Sequence, residues 1–231
     1  MKKLLILAAL CAFTAGSAPA QAADECDGLM VCVPVAGPWV VVPTGTSIPR
    51  PRVEYQLRCP RGHIVGGLDA ELSHRGIDIS FIGELGSPVN PGITTSRSVV
   101  FVASYVGATA RAPTFRPHIG CMPASGGGSR IPTALGIVKP GHPTTRRVRT
   151  VRVPPGTRTV ASACRAREVL VGASHAFGFN TRTPPSETLV GLVRGTRFVS
   201  GQRVLLRASG NAELGRIRAV TQVHAVCSSV R

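Results

Sequence analysis

Hydrophobic positions in this chain recur at every second residue rather than at every third or fourth. Val53-Glu-Tyr-Gln-Leu-Arg-Cys59 is the clearest case: Val53, Tyr55, Leu57 and Cys59 share one face, while Glu54, Gln56 and Arg58 share the other. Ile77, Ile79 and Phe81 alternate with Asp78 and Ser80 in the same way. Near the C-terminus, Ile217, Ala219, Thr221, Val223, Ala225 and Cys227 form one face, with Arg216, Arg218, Gln222 and His224 on the other. Trp39-Val-Val-Val42 is a short apolar run stopped by Pro43 and the Thr44-Gly45 turn, which reads as a buried strand with Trp39 in the core. Ser98 to Val106 is apolar on both faces and reads as a central strand. Gln202 to Ser209 is a further strand candidate, and Phe115 to Cys121 carries Pro117, which predicts an edge position. No stretch of the mature chain shows a helical period. With 19 prolines and 26 glycines punctuating these runs, the predicted class is all-β.

Landmarks recur over a longer range. Cys59-Pro-Arg-Gly-His-Ile-Val-Gly-Gly67 returns in degenerate form as Cys164-Arg-Ala-Arg-Glu-Val-Leu-Val-Gly-Ala173. Val40-Val-Val-Pro-Thr-Gly-Thr46 precedes the first copy and Val151-Arg-Val-Pro-Pro-Gly-Thr157 the second. The copies end at His118-Ile-Gly-Cys121 and His224-Ala-Val-Cys227, so the outer cysteines stand 62 and 63 residues apart. Ordered landmarks at matched spacing predict an internal duplication and two tandem antiparallel β-sandwich-like modules. The expected organisation is a signal peptide at 1–23, an N-terminal segment plus the first module at 24–121, a Gly/Pro/Arg-rich connector at 122–147, and the second module at 148–231.

Met1-Lys-Lys, the apolar run Leu4 to Phe13 and the small residues of Ala18-Pro-Ala-Gln-Ala-Ala23 have the layout of a cleaved export signal. Its apolar core is short for a membrane span, and no later run approaches that length, so an integral membrane protein is not expected. Removing Cys11 with the signal leaves Cys26, Cys32, Cys59, Cys121, Cys164 and Cys227, an even set that reads as a disulfide framework in an exported chain. If each duplicated module closes its own bridge, the pairs are Cys59–Cys121 and Cys164–Cys227, with Cys26–Cys32 as a local clip. The expected location is periplasmic or extracellular.

Cys59-Pro-Arg-Gly62 followed by Val65-Gly-Gly67, with a distant strand ending in Cys121, resembles a Cys-Pro-x-Gly…Gly-Gly module of bacterial exported proteins. The resemblance spans 39–121 and implies a disulfide-closed β-module without implying an activity. Over 150–227 it weakens, because Arg165 replaces the proline, one residue is added before Gly172, and Ala173 replaces the second glycine.

Charge separates the halves. The formal charge is +16, and residues 140–231 hold fifteen arginines against three acids, whereas residues 24–139 are nearly balanced. A field of that size attracts polyanions: acidic polysaccharide, lipopolysaccharide or an anionic lipid surface. Arg146, Arg147, Arg149, Arg152, Arg158, Arg165 and Arg167 are the candidate anion-binding residues. Nucleic acid fits less well, because aromatic stacking groups are sparse among these arginines.

Other chemistries find less footing. Cys59, His63, His118 and Cys121 have the composition of a zinc site, but residues three apart on a strand point to opposite faces, and the second copy lacks His63. Gly172-Ala-Ser174-His-Ala176 departs from a nucleophile elbow by lacking its last glycine. Asp69, Glu71 and Asp78 read as solvated strand ends, and Gly126-Gly-Gly128 lacks the lysine of a phosphate loop. No cofactor, metal or catalytic residue is assigned. The expectation is a non-catalytic exported β-repeat protein with an Arg-rich second half that binds an anionic partner. The alternatives are a structural or inhibitory scaffold with incidental charge, and a hydrolase with an unrecognised site.

Overall fold

A computed structural model of the chain describes residues 24–29, 31–82, 97–108, 112–124, 144–153 and 155–229. The signal segment and most of the connector lie outside the described residues. In the first half the strands are β1 (Val33–Ala36), β2 (Trp39–Val41), β3 (Arg52–Arg58), β4 (His63–Leu72), β5 (Ile77–Ile82), β6 (Ser98–Tyr105) and β7 (Thr114–Pro123). In the second they are β8 (Thr144–Arg152), β9 (Gly156–Ala163), β10 (Glu168–Phe179), β11 (Val193–Ser200), β12 (Arg203–Gly210) and β13 (Ala219–Ser229). The fold is all-β with antiparallel sheets, as the period-two pattern predicts.

One seven-stranded sheet runs through both halves. β4 pairs with β7, β7 pairs on its other side with β1 and β2, β2 pairs with β10, β10 with β13, and β13 with β8. Val40 of β2 stands opposite both Phe115 and Gly178, so the pleat stays in phase across the junction. Phe115, Ile119 and Cys121 therefore share a face with Ser174, Ala176, Gln222 and His224. The sheet β3–β6–β5 covers that face, and Ala176 of the second half joins the first half's core of Val53, Tyr55, Leu57, Phe101 and Phe115. The opposite face carries Val223, Ala225 and Cys227, which pack against Val160, Val204, Leu206 and Ala208 of β9 and β12. β9 lies beside β12, with Cys164 N donating to Gln202 O (3.0 Å) at one end and a bridge between Pro155 and Gly210 at the other.

Cys59–Cys121 and Cys164–Cys227 thus leave the central sheet on opposite faces, each tying down one smaller sheet; Cys26–Cys32 closes a loop at the N-terminal end. Closing a 62-residue loop is worth about 4 kcal/mol by the chain-entropy estimate. β4 carries a bulge between Val65 and Gly67, opposite Cys121 and Gly120, and β10 carries one between Leu170 and Gly172, opposite Cys227 and Val226. The irregularity falls at the cysteine in both halves.

The N-terminal segment packs on the first half's share of the second face. A Cβ on Gly67 would lie 1.8 Å from Glu25 O, and one on Gly120 would lie 2.0 Å from the same atom. These glycines let the backbone approach closely.

Several expectations change. Pro117 is not on an edge strand, because β7 has neighbours on both sides. Its carbonyl accepts from Gly37 N (2.8 Å), where Gly37-Pro38 separates β1 from β2, so the missing proline N–H faces that break. β8 begins at Thr144, which moves Arg146 and Arg147 out of the connector into a strand. A short helix, Glu187–Gly191, is capped by Ser186 Oγ, and a 3₁₀ turn spans Ala212–Arg216. Both are too short to leave a periodic signal. No helix among the described residues is long and apolar enough to cross a membrane. Three disulfides in a chain of this kind fit an oxidising compartment.

Gly120→Ala is expected to lift the N-terminal segment off the sheet. Hydrogen exchange should show amides of residues 24–36 losing protection while those of β13 keep theirs. The Cys164→Ala/Cys227→Ala pair should cost about 4 kcal/mol in denaturant unfolding, the amount estimated for a loop of that length.

Candidate functional site

The arginines singled out in the sequence do not form one patch. Arg146 and Arg147 are successive residues of β8 and point to opposite faces. Arg146 Nη1 donates to Glu54 Oε2, and Arg147 donates to Glu168, its Nε lying 3.0 Å from Oε2. Both are neutralised. Arg149 and Arg152 are exposed on opposite faces of the edge strand, and Arg158 is exposed on β9. Arg165 and Arg167 are exposed in the turn before β10, beside the β11–β12 turn through the Cys164–Gln202 bond.

A second set of arginines, not singled out in the sequence, lies on β11 and β12. Arg194 pairs with Ser209, Thr196 with Arg207, Phe198 with Leu205, and Ser200 with Arg203. Val204, Leu206 and Ala208 turn inward and are buried. Strand alternation therefore sends Arg194, Arg203, Arg207 and Phe198 outward together. All three arginines are exposed, Phe198 is 46% exposed, and none of these arginines meets a carboxylate among the described residues. The sequence holds no acid between Glu187 and Glu213. Arg203 and Arg207 stand about 13 Å apart along β12, and Arg194 is diagonal to Arg207 at about 7 Å. The signal available in the sequence was alternation in Arg203-Val-Leu-Leu-Arg207, blurred by Leu205 on the polar face.

The densest polar cluster lies where β3 crosses the second half. Ser174 Oγ donates to Glu54 Oε2 (2.6 Å), the carboxylate already bound by Arg146. Arg146 Nη1 lies 3.1 Å from His224 Nδ1, which makes that nitrogen the acceptor and leaves the proton on Nε2, 3.0 Å from Gln222 Oε1. Gln222 then holds β3 by both ends: its Oε1 accepts from Gln56 N and its Nε2 donates to Gln56 O, each at 2.9 Å. His224 is 0% exposed. Burial pushes its pKa down to about 4, with Arg146 adding to the depression and Glu54 opposing it. Burial pushes the Glu54 carboxyl up, but hydrogen bonds from Ser174 and Arg146 hold it net below the ordinary value.

This cluster is a fastening rather than a reaction centre. Ser174 donates to a carboxylate, and His224 is oriented by Arg146 and Gln222 rather than toward the hydroxyl, so neither group activates the other. His175 faces the other side of β10, edge-on to Phe177 at 5.6 Å. The zinc set is dispersed: Cys59 and Cys121 are bonded to each other, and His118 lies on the opposite face, its Nε2 2.8 Å from Glu71 Oε1. Cys164, Glu168 and Cys227 bring ligand atoms together, but their sulfurs form a disulfide and offer no thiolate.

Comparison with known proteins gives no family model that matches the chain and no curated protein that matches it.

The buried histidine fixes a pH dependence. Between about pH 6.5 and 4 the unfolded chain binds a proton at His224 that the folded chain does not, so stability falls on acidification through that window. The loss reaches about 3 kcal/mol at its limit, and the depressed Glu54 continues the loss as pH falls further. His224→Gln should flatten the profile above pH 4.5 in denaturant titrations, at some cost in stability at neutral pH.

Proposed function

We propose that the protein is an exported, non-catalytic binding protein that holds a linear polyanion on the outer face of β9, β12 and β11. The observation that carries this reading is the row Arg203, Arg207 and Arg194, outward and without a carboxylate partner among the described residues, with Phe198 among them. Arg165 and Arg167 extend it at the turn. Guanidinium groups bind carboxylate, sulfate and phosphate in fork geometry, and hydroxyls of Thr196 and Ser209 lie beside them. Cations spaced along an exposed sheet face suit an extended polymer better than a compact ligand. An acidic polysaccharide, free or on an envelope surface, meets that description, and the disulfides fit a periplasmic or extracellular setting.

On the corresponding face of β3–β6–β5, Val100 and Val102 are each 4% exposed and Glu54 and Gln56 are fastened to the second half, while Arg52, Arg58 and Asp78 stay exposed. The matching cysteine spacings, bulges and strand pairings support a duplicated unit.

The test is binding to an acidic polysaccharide over a salt titration. Affinity should fall steeply with salt, and Arg194→Ser/Arg203→Ser/Arg207→Ser should remove most of it, reducing the salt slope by about one counterion per arginine. Arg149→Ser/Arg152→Ser, on the edge strand, should keep most of the affinity. Absence of binding at low ionic strength would leave the scaffold reading, in which the charge is incidental.

A further inference from the structure

β10 is flanked unequally. β13 pairs with it from Glu168 to Phe179, whereas β2 reaches it only at Gly178 and Phe179. Beyond Val41 the chain keeps to β7, with Val42 N donating to Pro113 O (2.8 Å), so the rest of that edge has no partner strand among the described residues. Asn180 N donates to Arg218 O (3.1 Å). Alternation from that bond turns the backbone groups of Gly178, Ala176 and Ser174 toward β13 and those of His175 and Ala173 toward the open edge. The β11–β12 hairpin caps part of it: Gln202 Oε1 accepts from Leu170 N (2.7 Å), and Arg197 Nη1 donates to Ala173 O.

At His175 the edge opens on a cleft of about 430 Å³. Val41, Pro43, Pro51 and Phe177 line it and are each only half-buried, so apolar surface faces the hollow. Its charged groups are of one sign. Arg52 and Arg197 are exposed, His175 is half-buried, and no carboxylate lines the cleft. Neither arginine has a carboxylate partner among the described residues, and Arg197 spends one of five donors on Ala173 O. Two acids stand in the neighbourhood. Glu54, next to Val53, is held by Arg146 and Ser174. Asp78 lies beyond β6: it and Arg52 both stand opposite Ser104, which sets them two strand spacings, about 10 Å, apart.

We infer that this cleft binds an organic acid. Its oxyanion head, a carboxylate or equivalent, is held by Arg52, Arg197 and the backbone N–H of His175, and its apolar body lies against Pro43, Pro51 and Phe177. Mostly apolar clefts with a few placed polar groups are common small-molecule sites. Arg197 stands on the inner face of β11, opposite Leu206. The site is therefore separate from the outward row of Arg194, Arg203 and Arg207 and does not rest on that row binding anything.

Octanoate and hexanoate are the probes, and hexanol, which lacks the charge, is the comparator. Nuclear magnetic resonance follows the His175 ring, assigned with His175→Gln, at fixed ionic strength. Both acids should shift its resonances saturably, and hexanol should not. Burial and the Arg197 charge hold the His175 pKa below its ordinary value, so a carboxylate that offsets Arg197 should raise the ring's titration midpoint. By linkage, octanoate should bind more tightly as pH falls toward that midpoint. The charged or titratable groups around the ring are Arg197 on β11, Arg52 and Glu54 on β3, Arg146 on β8 and His224 on β13. His224, its pKa pushed down to about 4, stays neutral through this window.

The Arg52 guanidinium makes no hydrogen bond among the described residues, so Arg52→Ser should leave the unfolding temperature unchanged while weakening octanoate about fivefold, the scale of an exposed ion pair. Arg197→Ser should weaken it as well, and Arg194→Ser/Arg203→Ser/Arg207→Ser should not. The inference is overturned by no saturable shift at His175 up to about 50 mM octanoate, well beyond the millimolar range expected of a weak single site. An equal response to hexanol, a uniform drift of all the histidine resonances, or affinity unchanged in both Arg52→Ser and Arg197→Ser would overturn it as well.

Discussion

The fold depends on a three-residue strand hydrogen-bonded on both sides. β2 pairs with β7 through Val40 and Val41, and with β10 through Trp39 and Val40. Without it the chain would hold two separate sheets, each with exposed edges open to pairing with other chains. With it, one pleated surface passes through both halves. Each half builds its sandwich on a different side of that surface, β3–β6–β5 on one face and β9, β12 and β11 on the other. The opposite departures of Cys59–Cys121 and Cys164–Cys227 match that arrangement.

The polar cluster around Glu54 and His224 belongs to the same geometry. β3 turns Val53, Tyr55 and Leu57 into the first half's core, so its other face must meet the second half through Glu54 and Gln56. A half-buried charge there is costly unless paired, and Arg146 and Ser174 pair it. Gln222 adds two bonds to the β3 backbone, which fix the strand's position along β13. These groups resemble catalytic parts in composition, but their hydrogen bonds are already used among themselves, and β3 lies over them.

Much of the architecture is legible in the sequence because alternation survives wherever one face is buried. Val53 to Cys59 reads correctly for that reason, and so does the face ending at Cys227. β11 does not, since Arg194 to Ser200 is exposed along its length and carries Phe198 and Val199 without burying them. Pro117 misleads because a proline's meaning depends on what stands opposite its nitrogen, and the break at Gly37-Pro38 is a tertiary fact. The arginine run 146–152 drew attention by density alone. Charge density along a strand says nothing about sidedness, and Arg146 and Arg147 are each consumed by a glutamate distant in sequence, Glu54 and Glu168. The face that stays open is instead set by which layer has none of the described residues packed on it.

If one sheet joins the halves, they should lose structure together. The most direct test is equilibrium denaturation followed by two probes, the fluorescence of Trp39 at the junction and far-ultraviolet circular dichroism of the whole chain. Coincident transitions with one midpoint are the predicted result. Two resolved transitions, with Trp39 released before most of the strand signal, would show that β2 does not unite the halves and would contradict the account.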